Sequence, residues 1–219
     1  MHPHLHLASL CLWAALTQTA FAADQVFVTN EGGGSISVID SKTNTVVHTI
    51  ETEGKPRGLA LCANDPYLYV SNQNGSQLQA IHTQTYGIEK TLALGESPEA
   101  VYCSPDGQWI AVANEGSNSV SFISTARWKL QFSIPVRGKN PEHAMFSPNG
   151  KLMLVSAEEA DQVDVIDLSK RTQIKSIRVG NRPRGIAFSP DGNTAYVAVE
   201  TDSLLVAIDM KKLAVKSTL

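Results

Sequence analysis

Charged side chains recur in this sequence directly after regularly spaced prolines. Four prolines stand at successive steps of 42, 43 and 42 residues: Pro56, Pro98, Pro141 and Pro183. A charged residue follows each of them: Arg57, Glu99, Glu142 and Arg184. Guanidinium and carboxylate groups at equivalent places could pair with one another or could present a polar recognition surface to a ligand. The choice between these roles depends on the structural unit that repeats.

Histidines and acidic residues give little support for catalysis or metal binding. His143 follows Glu142, but one histidine beside one glutamate is more often structural than a ligand. The acidic stretch between Glu158 and Asp164 lacks the Asp-x-Asp-x-Asp-Gly spacing of a calcium loop, so we expect a solvated loop. His82 stands where other repeats have an aspartate, which indicates a polar residue at a strand end. The sequence therefore predicts no catalytic residue, no metal site and no cofactor.

Two cysteines, Cys62 and Cys103, follow the first 22 residues. They differ by one position in the repeat, since Cys62 corresponds to Ser104 and Cys103 corresponds to Leu61. Side chains alternate across a strand, so this offset should point the two thiols to opposite faces. We expect two separate apolar fillers, although an exported protein forms disulfides where the geometry permits. No Cys-x-x-Cys or Cys-x-x-Cys-His sequence indicates a zinc, redox or haem site.

The unit that carries these residues contains four short strand patterns. Its clearest copy is PRGIAFSPDGNTAYVAVETDSLLVAID, residues 183–209. After the proline come an apolar segment, a turn such as Ser-Pro-Asp-Gly, a second strand pattern such as LYVSN and a third that ends in VID. A period of about 40 to 45 residues with four strands is typical of a β-propeller blade. The sequence thus predicts an all-β propeller of about five four-stranded blades.

Asparagine ends the second strand pattern in three of the repeats. These residues are Asn30, Asn72 and Asn114. A side-chain amide at this place can hold the following loop through local hydrogen bonds. Ala157 takes the place in the fourth repeat, so we expect that loop to be held differently.

Together these motifs resemble the YVTN-type β-propeller repeat family. The resemblance depends on VFVTN, LYVSN and IAVAN together with SPDG and VID, and it covers essentially the whole chain after residue 22. The sequence is most similar to exported seven-bladed members, including those found beside pyrroloquinoline-quinone-dependent catabolic enzymes. The resemblance implies a periplasmic or cell-surface propeller without an assigned catalytic activity. Some related propellers belong to haem-dependent nitrite reductases and amine dehydrogenases, but no residues here match a haem or quinone site.

The number of repeats departs from that family. Residues 23–219 supply about 4.7 units, whereas a seven-bladed member needs seven. The first unit begins at its second strand, QVFVTN, and no segment of the PRGIAFS type follows residue 219 to complete it. We therefore expect an incomplete first blade and an open or partial ring, whose unpaired edges could promote self-association.

The first 22 residues have the pattern of a secretory signal peptide. The apolar stretch LASLCLWAAL is too short to span a bilayer, and Ala20-Phe21-Ala22 has the small-x-small pattern that signal peptidase cleaves. No lysine or arginine precedes this stretch, which departs from the usual pattern. We expect cleavage after Ala22, a periplasmic or secreted propeller domain of residues 23–219, and no membrane span.

Composition and blade geometry together define the expected working surface. A net charge of −3 without long basic runs gives no electrostatic reason to expect nucleic acid. In a propeller, the loop that enters strand one and the loop between strands two and three open on the same face, around the channel. The candidate binding residues on this face are Arg57, Glu99, Glu142, His143 and Arg184, with Glu31, Asn74, Glu115 and Glu158.

Two functions remain open from the sequence. Convergent charges on loops of a rigid scaffold favour an exported, non-catalytic module that binds or scaffolds a protein or small-molecule ligand. The alternative is part of a periplasmic redox propeller linked to haem or quinone. Each charge could also simply solvate its loop or pair across blades, because exposed ion pairs contribute only about 0 to 1 kcal/mol.

Overall fold

The computed structural model describes residues 25–63 and 65–219, and these residues form five antiparallel sheets. The first sheet has three strands and each of the others has four. Within every sheet the strands follow chain order, so each pairs with its sequence neighbour. Such sheets are propeller blades, and the prediction of an open propeller array with an incomplete first blade is confirmed. The predicted signal peptide, residues 1–22, lies outside the described residues.

The strands divide among the blades as the repeat predicts. Blade 1 consists of β1 (Gln25–Asn30), β2 (Ser35–Asp40) and β3 (Thr45–Glu51). Blade 2 consists of β4 (Pro56–Leu61), β5 (Tyr67–Asn72), β6 (Gln77–His82) and β7 (Ile88–Ala93). Blade 3 consists of β8 (Pro98–Cys103), β9 (Trp109–Asn114), β10 (Ser119–Ser124) and β11 (Lys129–Pro135).

The remaining two blades are complete. Blade 4 consists of β12 (Pro141–Phe146), β13 (Leu152–Ala157), β14 (Gln162–Asp167) and β15 (Thr172–Arg178). Blade 5 consists of β16 (Pro183–Phe188), β17 (Thr194–Val199), β18 (Leu204–Asp209) and β19 (Ala214–Thr218). The described helices are two 3₁₀ turns, Glu31–Gly33 and Glu158–Ala160, and no described helix has the length and hydropathy to cross a membrane.

Burial depends on the position of a strand in its blade. In β9, Ile110, Ala111, Val112 and Ala113 are all buried, because neighbouring blades cover both faces of the sheet. The outermost strand β11 instead alternates between exposed and partly buried residues, as expected beside solvent. The core therefore lies between blades, and one apolar cluster joins side chains of blades 3 and 4.

The first strand of each blade lies against the first strand of the next. β4 contacts β8, β8 contacts β12 and β12 contacts β16. These innermost strands line the channel, and each begins at one of the regularly spaced prolines. The charged residue after each proline therefore enters the channel at the same end.

The turns between strands one and two lie at the opposite end of the blades. In blade 3 the Gly107 N–H donates to the Ser104 carbonyl at 2.9 Å, and Gly107 has a φ of 69°, which favours glycine. Asp106 Oδ1 accepts hydrogen bonds from Ser104 Oγ and the Gln108 N–H. The tight turn predicted from Ser-Pro-Asp-Gly is present.

The asparagines that end second strands hold loops, but not always the loop that follows. Asn114 Nδ2 donates to Ser119 Oγ across the following loop, as predicted, whereas Asn72 holds the loop before its blade. Asn72 Oδ1 accepts a hydrogen bond from the Lys55 N–H, and its amide donates to the Thr52 carbonyl. In the fourth repeat, where Ala157 replaces asparagine, the buried Asp164 carboxylate accepts the Gly138 N–H at 2.7 Å. This bond holds the loop before β12, the place that Asn72 holds in blade 2, and does not test the loop that follows Ala157.

His82 is the polar strand-end residue that the sequence predicts. Its Nδ1 accepts the N–H groups of Gln84 and Thr85. Asp40 Oδ1 accepts the two equivalent N–H groups in blade 1. An imidazole nitrogen thus replaces a carboxylate oxygen as the acceptor that shapes the turn.

The prediction that Cys62 and Cys103 are separate is wrong. They form a disulfide, with their Cα atoms 5.5 Å apart. Alternation of side chains compares residues within one sheet, but Cys62 follows β4 and Cys103 ends β8, so the two belong to adjacent blades that pack face to face. The one-residue offset therefore does not separate the sulfur atoms, and the bridge fastens blade 2 to blade 3.

Apolar side chains are exposed at the two ends of the array. Val26 and Val28 on β1 are 48% and 41% exposed, and Leu204 and Leu205 on β18 are 37% and 41% exposed. Within the described residues β1 pairs with β2 alone, so its other edge has unpaired backbone groups.

Replacing both Cys62 and Cys103 with alanine should lower the free energy of unfolding by about 2–4 kcal/mol, because the bridge joins residues 41 positions apart and restricts the unfolded chain. Urea denaturation of the wild-type protein and the variant measures the difference. The wild-type protein under reducing conditions should match the variant. Equal stability of the oxidised and reduced protein would contradict this prediction.

Candidate functional site

The charged residue after each proline lies in a β-bulge. The register between strands one and two shifts between Pro56 and Leu59, and between Pro98 and Val101. The register also shifts after the prolines of blades 4 and 5, over a stretch one residue shorter in blade 4. A bulge removes a residue from the ladder and redirects its side chain. The fold therefore frees these four side chains from the sheet at the channel mouth.

A cavity of about 320 Å³ lies at this mouth. Six of the predicted site residues line it: Glu31, Arg57, Glu99, Glu142, His143 and Arg184. They come from all five blades, so the cavity exists only where the blades meet. The structure thus brings together the residues that the repeat places at equivalent positions.

Arg57 joins the carboxylates of three blades. Its Nη1 is 2.7 Å from Glu31 Oε2, and its Nε donates to Glu99 Oε2 at 2.7 Å. Glu142 Oε2 lies 3.9 Å from Arg57 Nη2. Because the Glu99 side chain is only 3% exposed, its charge depends on this arginine for compensation. Burial lowers the pKa of Arg57, but the hydrogen bonds that its guanidinium donates to Glu99 and Glu31 raise it overall.

Arg184 has the corresponding role between blades 4 and 5. Its Nη1 is 2.8 Å from Glu142 Oε1 and 2.6 Å from Glu158 Oε2. Arg182 adds a second guanidinium, whose Nε lies 2.6 Å from Glu158 Oε1. Glu200 lies 3.6 Å from Arg184 and 3.5 Å from Arg182. The two arginines therefore stand within a larger group of carboxylates.

Glu142 retains its proton at neutral pH. Burial is the main cause that raises its pKa to about 8, and a hydrogen bond with Glu158 and the nearby charge of Glu99 add to this effect. Arg184 opposes the rise without cancelling it. Burial would also raise the pKa of Glu158, but the hydrogen bond from Glu142 and the arginine charges lower it overall. A protonated carboxyl and a carboxylate thus stand side by side.

His143 is neutral in this environment. Burial, together with the charges of Arg184 and Arg57, lowers its pKa to about 4. Its Nδ1 is hydrogen-bonded to Tyr102 Oη at 2.7 Å, which fixes the ring beside the cavity. The imidazole therefore offers the cavity a neutral polar edge and not a positive charge.

One predicted site residue, Asn74, lies outside this network. It is exposed in the turn after β5 and does not line the cavity. The equivalent of Glu31 in blade 2 is Gln73, whose amide donates to Glu99 Oε1 and to Ser97 Oγ. The residue directly after strand two is therefore the relevant position, and strict alignment of the repeats would have selected Gln73.

The position directly after strand two also identifies Glu200, which the sequence analysis did not select. Directly after the second strand stand Glu31, Gln73, Glu115, Glu158 and Glu200. Glu200 belongs to this set, and alignment of the fifth repeat through its second loop would have found it. The repeat offers no reason to select Arg182, because the residues that precede the four prolines differ in charge: Lys55, Ser97, Asn140 and Arg182.

Three carboxylates at the mouth lie close enough to hold a cation. Oxygens of Glu115, Glu142 and Glu158 are within 4.8 Å of one another. Arg184 already pairs with two of the three, so a guanidinium supplies positive charge where an ion would bind.

The expectation that the acidic loop is merely solvated is wrong at two residues. Glu158 joins the charge network by pairing with Arg184. Asp164 is fully buried and accepts a hydrogen bond from the Gly138 N–H.

Comparison with solved structures shows the same fold in larger chains. The structure of Kuenenia stuttgartiensis Hydrazine Synthase is 22% identical with a TM-score of 0.80, over 86% of this chain and 60% of that one. A functionally unknown protein from Desulfotomaculum acetoxidans DSM 771 is 19% identical with a TM-score of 0.78, over 88% of this chain and 65% of that one. This chain thus spans less than two thirds of either.

A family model for the YNCE-like beta-propeller matches residues 68–218. The chain belongs to the YNCE-like beta-propeller family. The match covers more than half of the sequence and extends from β5 to the last strand, β19. It agrees with the resemblance to YVTN-type propellers found in the repeats. No curated protein matches the sequence.

Replacing Arg57 with glutamine should lower the free energy of unfolding by about 3 kcal/mol, because the variant leaves the buried Glu99 carboxylate without its partner. The double variant Arg57→Gln/Glu99→Gln should recover most of the loss. Arg178→Gln is the matched control, since Arg178 is 80% exposed and its pair with Asp161 contributes about 0 to 1 kcal/mol. Urea denaturation tests the set, and equal losses at Arg57 and Arg178 would refute the argument.

Replacing Glu142 with glutamine should make stability less dependent on pH between 6.5 and 8. The pKa of Glu142 is raised from 4.5 to about 8, so the folded state keeps a proton that the unfolded state loses, and stability falls as pH rises through this window. His143 opposes this trend only below 6.5, since its pKa is lowered to about 4. Between pH 6.5 and 8 the free energy of unfolding of the wild-type protein should fall by roughly 1–2 kcal/mol more than that of the variant. Urea denaturation at both pH values measures this, and parallel losses would argue against a protonated Glu142.

Proposed function

We propose that this chain is an exported, non-catalytic binding propeller whose channel mouth accepts a positively charged group of a protein or small-molecule ligand. The observation that supports this most strongly is the excess of carboxyl groups over guanidinium groups around the mouth. The guanidinium groups belong to Arg57, Arg182 and Arg184. The carboxyl groups belong to Glu31, Glu99, Glu115, Glu142, Glu158 and Glu200.

The protonated Glu142 gives the site a way to respond to a cation. A guanidinium or ammonium group in the cavity would stabilise the ionised form of Glu142 and lower its pKa. Binding would then release a proton and replace it with the ligand's charge. Because Arg57 and Arg184 hold the surrounding carboxylates in place, the site needs little reorganisation to bind.

Isothermal titration calorimetry with butylguanidinium and butylurea tests this proposal. The two probes have nearly the same shape, but only the first carries a charge. We expect butylguanidinium to bind at least about tenfold more tightly, since a charge-assisted hydrogen bond is stronger than a neutral one. The measured enthalpy should also depend on the ionisation enthalpy of the buffer near pH 7, because a proton is released. Equal binding of both probes would overturn the proposal.

Variants locate the binding site. Glu142→Gln and Glu99→Gln should each weaken butylguanidinium binding, and Glu142→Gln should also abolish the buffer dependence. Lys211→Gln is the matched control, because Lys211 is exposed in the turn between β18 and β19, at the opposite end of blade 5. Loss of binding in the control, or retention in both glutamate variants, would place the site elsewhere.

Visible absorbance distinguishes the redox alternative from this proposal. A hydrazine synthase is among the solved structures that share the fold, but at 22% identity this likeness concerns the fold alone. A propeller that carries haem or quinone would absorb visible light after purification from its native source. A colourless preparation that binds butylguanidinium would favour the binding module.

Export and self-association are part of the proposal. The pattern of residues 1–22 supports export, and intact-mass analysis of the mature protein should give a chain that begins at Ala23. The exposed valines of β1 and leucines of β18 support association of the array through its ends. Sedimentation velocity over a range of concentrations would reveal a purely monomeric protein if this is wrong.

A further inference from the structure

A second cavity lies between blades 3 and 4, at the end of the blades opposite to the charged mouth. Its volume is about 620 Å³, against about 320 Å³ for the cavity at the mouth. It opens beside the turn at Asp106, which links β8 to β9 at the end of the blade away from Pro98. Neither the charge network nor the proposed function uses this site.

Aromatic rings from both blades form the walls of this interblade cavity. Trp109, Phe122 and Phe132 come from blade 3, and Phe146 comes from blade 4. The rings of Phe122 and Phe132 stack with centroids 4.7 Å apart, and Trp109 lies 5.6 Å from Phe132. Phe146 meets Phe122 edge to face at 6.2 Å. The walls are therefore aromatic on the sides of both blades.

Basic side chains stand at the rim. The Arg171 guanidinium lies 4.1 Å from the centroid of Phe132, and Lys151 also lines the cavity. Among the described residues, no carboxylate forms a salt bridge with either of them. Asp106 is the acidic residue of the lining, but its Oδ1 is occupied by Ser104 and the Gln108 N–H. The rim thus has two positive charges against one negative charge.

The equivalent interface between blades 2 and 3 has different side chains at positions that line this cavity. The position of Arg171 is taken there by Trp128, which stacks on Tyr69 with centroids 5.7 Å apart. Both residues have positive φ, 52° for Arg171 and 47° for Trp128, so the same turn places both side chains over the interface. The Cys62–Cys103 disulfide closes the rest.

Blades 3 and 4 have no such closure. Ser104 and Phe146 occupy the repeat positions of Cys62 and Cys103. Phe122 and Phe132 replace Ala80 and Lys90, which makes this interface more aromatic than its neighbour. The aromatic cavity therefore depends on residues that differ between these two interfaces and does not follow from the repeat itself.

We propose that this interblade cavity binds a small planar aromatic molecule that carries a carboxylate. Its ring lies against Trp109 and Phe146, and its carboxylate pairs with Arg171 at the rim while Lys151 adds positive potential. The volume lies within the range of about 300–1,000 Å³ that suits small-molecule ligands. A planar guanidinium suits the bidentate recognition of a carboxylate.

Calorimetric titration of the full chain with 2-naphthoate tests the proposal. Its neutral analogue 2-naphthamide keeps the ring and removes the charge, and 2-naphthylmethylammonium reverses the charge. We expect 2-naphthoate to bind about tenfold more tightly than the amide, as one charge-assisted pair predicts, and the ammonium compound to bind most weakly. Absence of 2-naphthoate binding, or preference for the ammonium compound, would overturn the proposal.

Variants assign the binding to this cavity. Arg171→Gln should reduce 2-naphthoate affinity about tenfold and leave 2-naphthamide unchanged, while Arg171→Lys should restore part of the affinity. Ser169→Trp should block both compounds by filling the cavity. Lys90→Gln is the matched control, since Lys90 stands at the position of Phe132 in the interface between blades 2 and 3. Thermal unfolding confirms that each variant is folded.

The variants also separate this site from the channel mouth. Glu142→Gln should leave 2-naphthoate affinity unchanged, whereas Arg171→Gln should leave butylguanidinium affinity unchanged. Retention of 2-naphthoate binding in a folded Arg171→Gln variant would overturn the assignment. Loss of binding in Glu142→Gln would instead place the aromatic ligand at the mouth.

Discussion

The packing of each blade against the next is the constraint on which the rest of the structure depends. The second and third strands are apolar on both faces, so a single sheet cannot bury them, and the core exists only between neighbouring blades. This packing forces the first strands to lie side by side around the channel. Residues at one repeat position must then share a narrow space, whatever their charge.

That crowding explains the electrostatics of the channel mouth. Arg57 bridges carboxylates of blades 1 and 3, and Arg184 of blade 5 pairs with two carboxylates of blade 4, because the bulge after each proline turns the arginine into the channel. Where carboxyl groups outnumber the arginines, Glu142 keeps its proton instead of adding another buried charge. The proton on Glu142 and the guanidinium groups of the arginines thus stabilise the crowded carboxyl groups at the mouth.

The two cavities show how one repeat acquires different surfaces. The mouth is polar because the residues after the prolines and after the second strands are charged. The interblade cavity is aromatic because blades 3 and 4 have rings where blades 2 and 3 have Ala80, Lys90 and a disulfide. Shared fold with hydrazine synthase or with the Desulfotomaculum acetoxidans protein therefore says little about function, since side chains at a few positions decide what each surface can bind.

The sequence by itself determined the blades, their open array and the convergence of charges at one end, because the strand pattern and the repeat period are local properties of the chain. It also predicted the turn at Gly107, which depends on neighbouring residues. The tertiary structure alone decided the Cys62–Cys103 bridge, the protonation of Glu142 and the role of Gln73 in place of Asn74. These features depend on contacts between blades. Alternation within a strand fixes the face on which a side chain lies, but the stagger and distance between separate sheets come only from their packing.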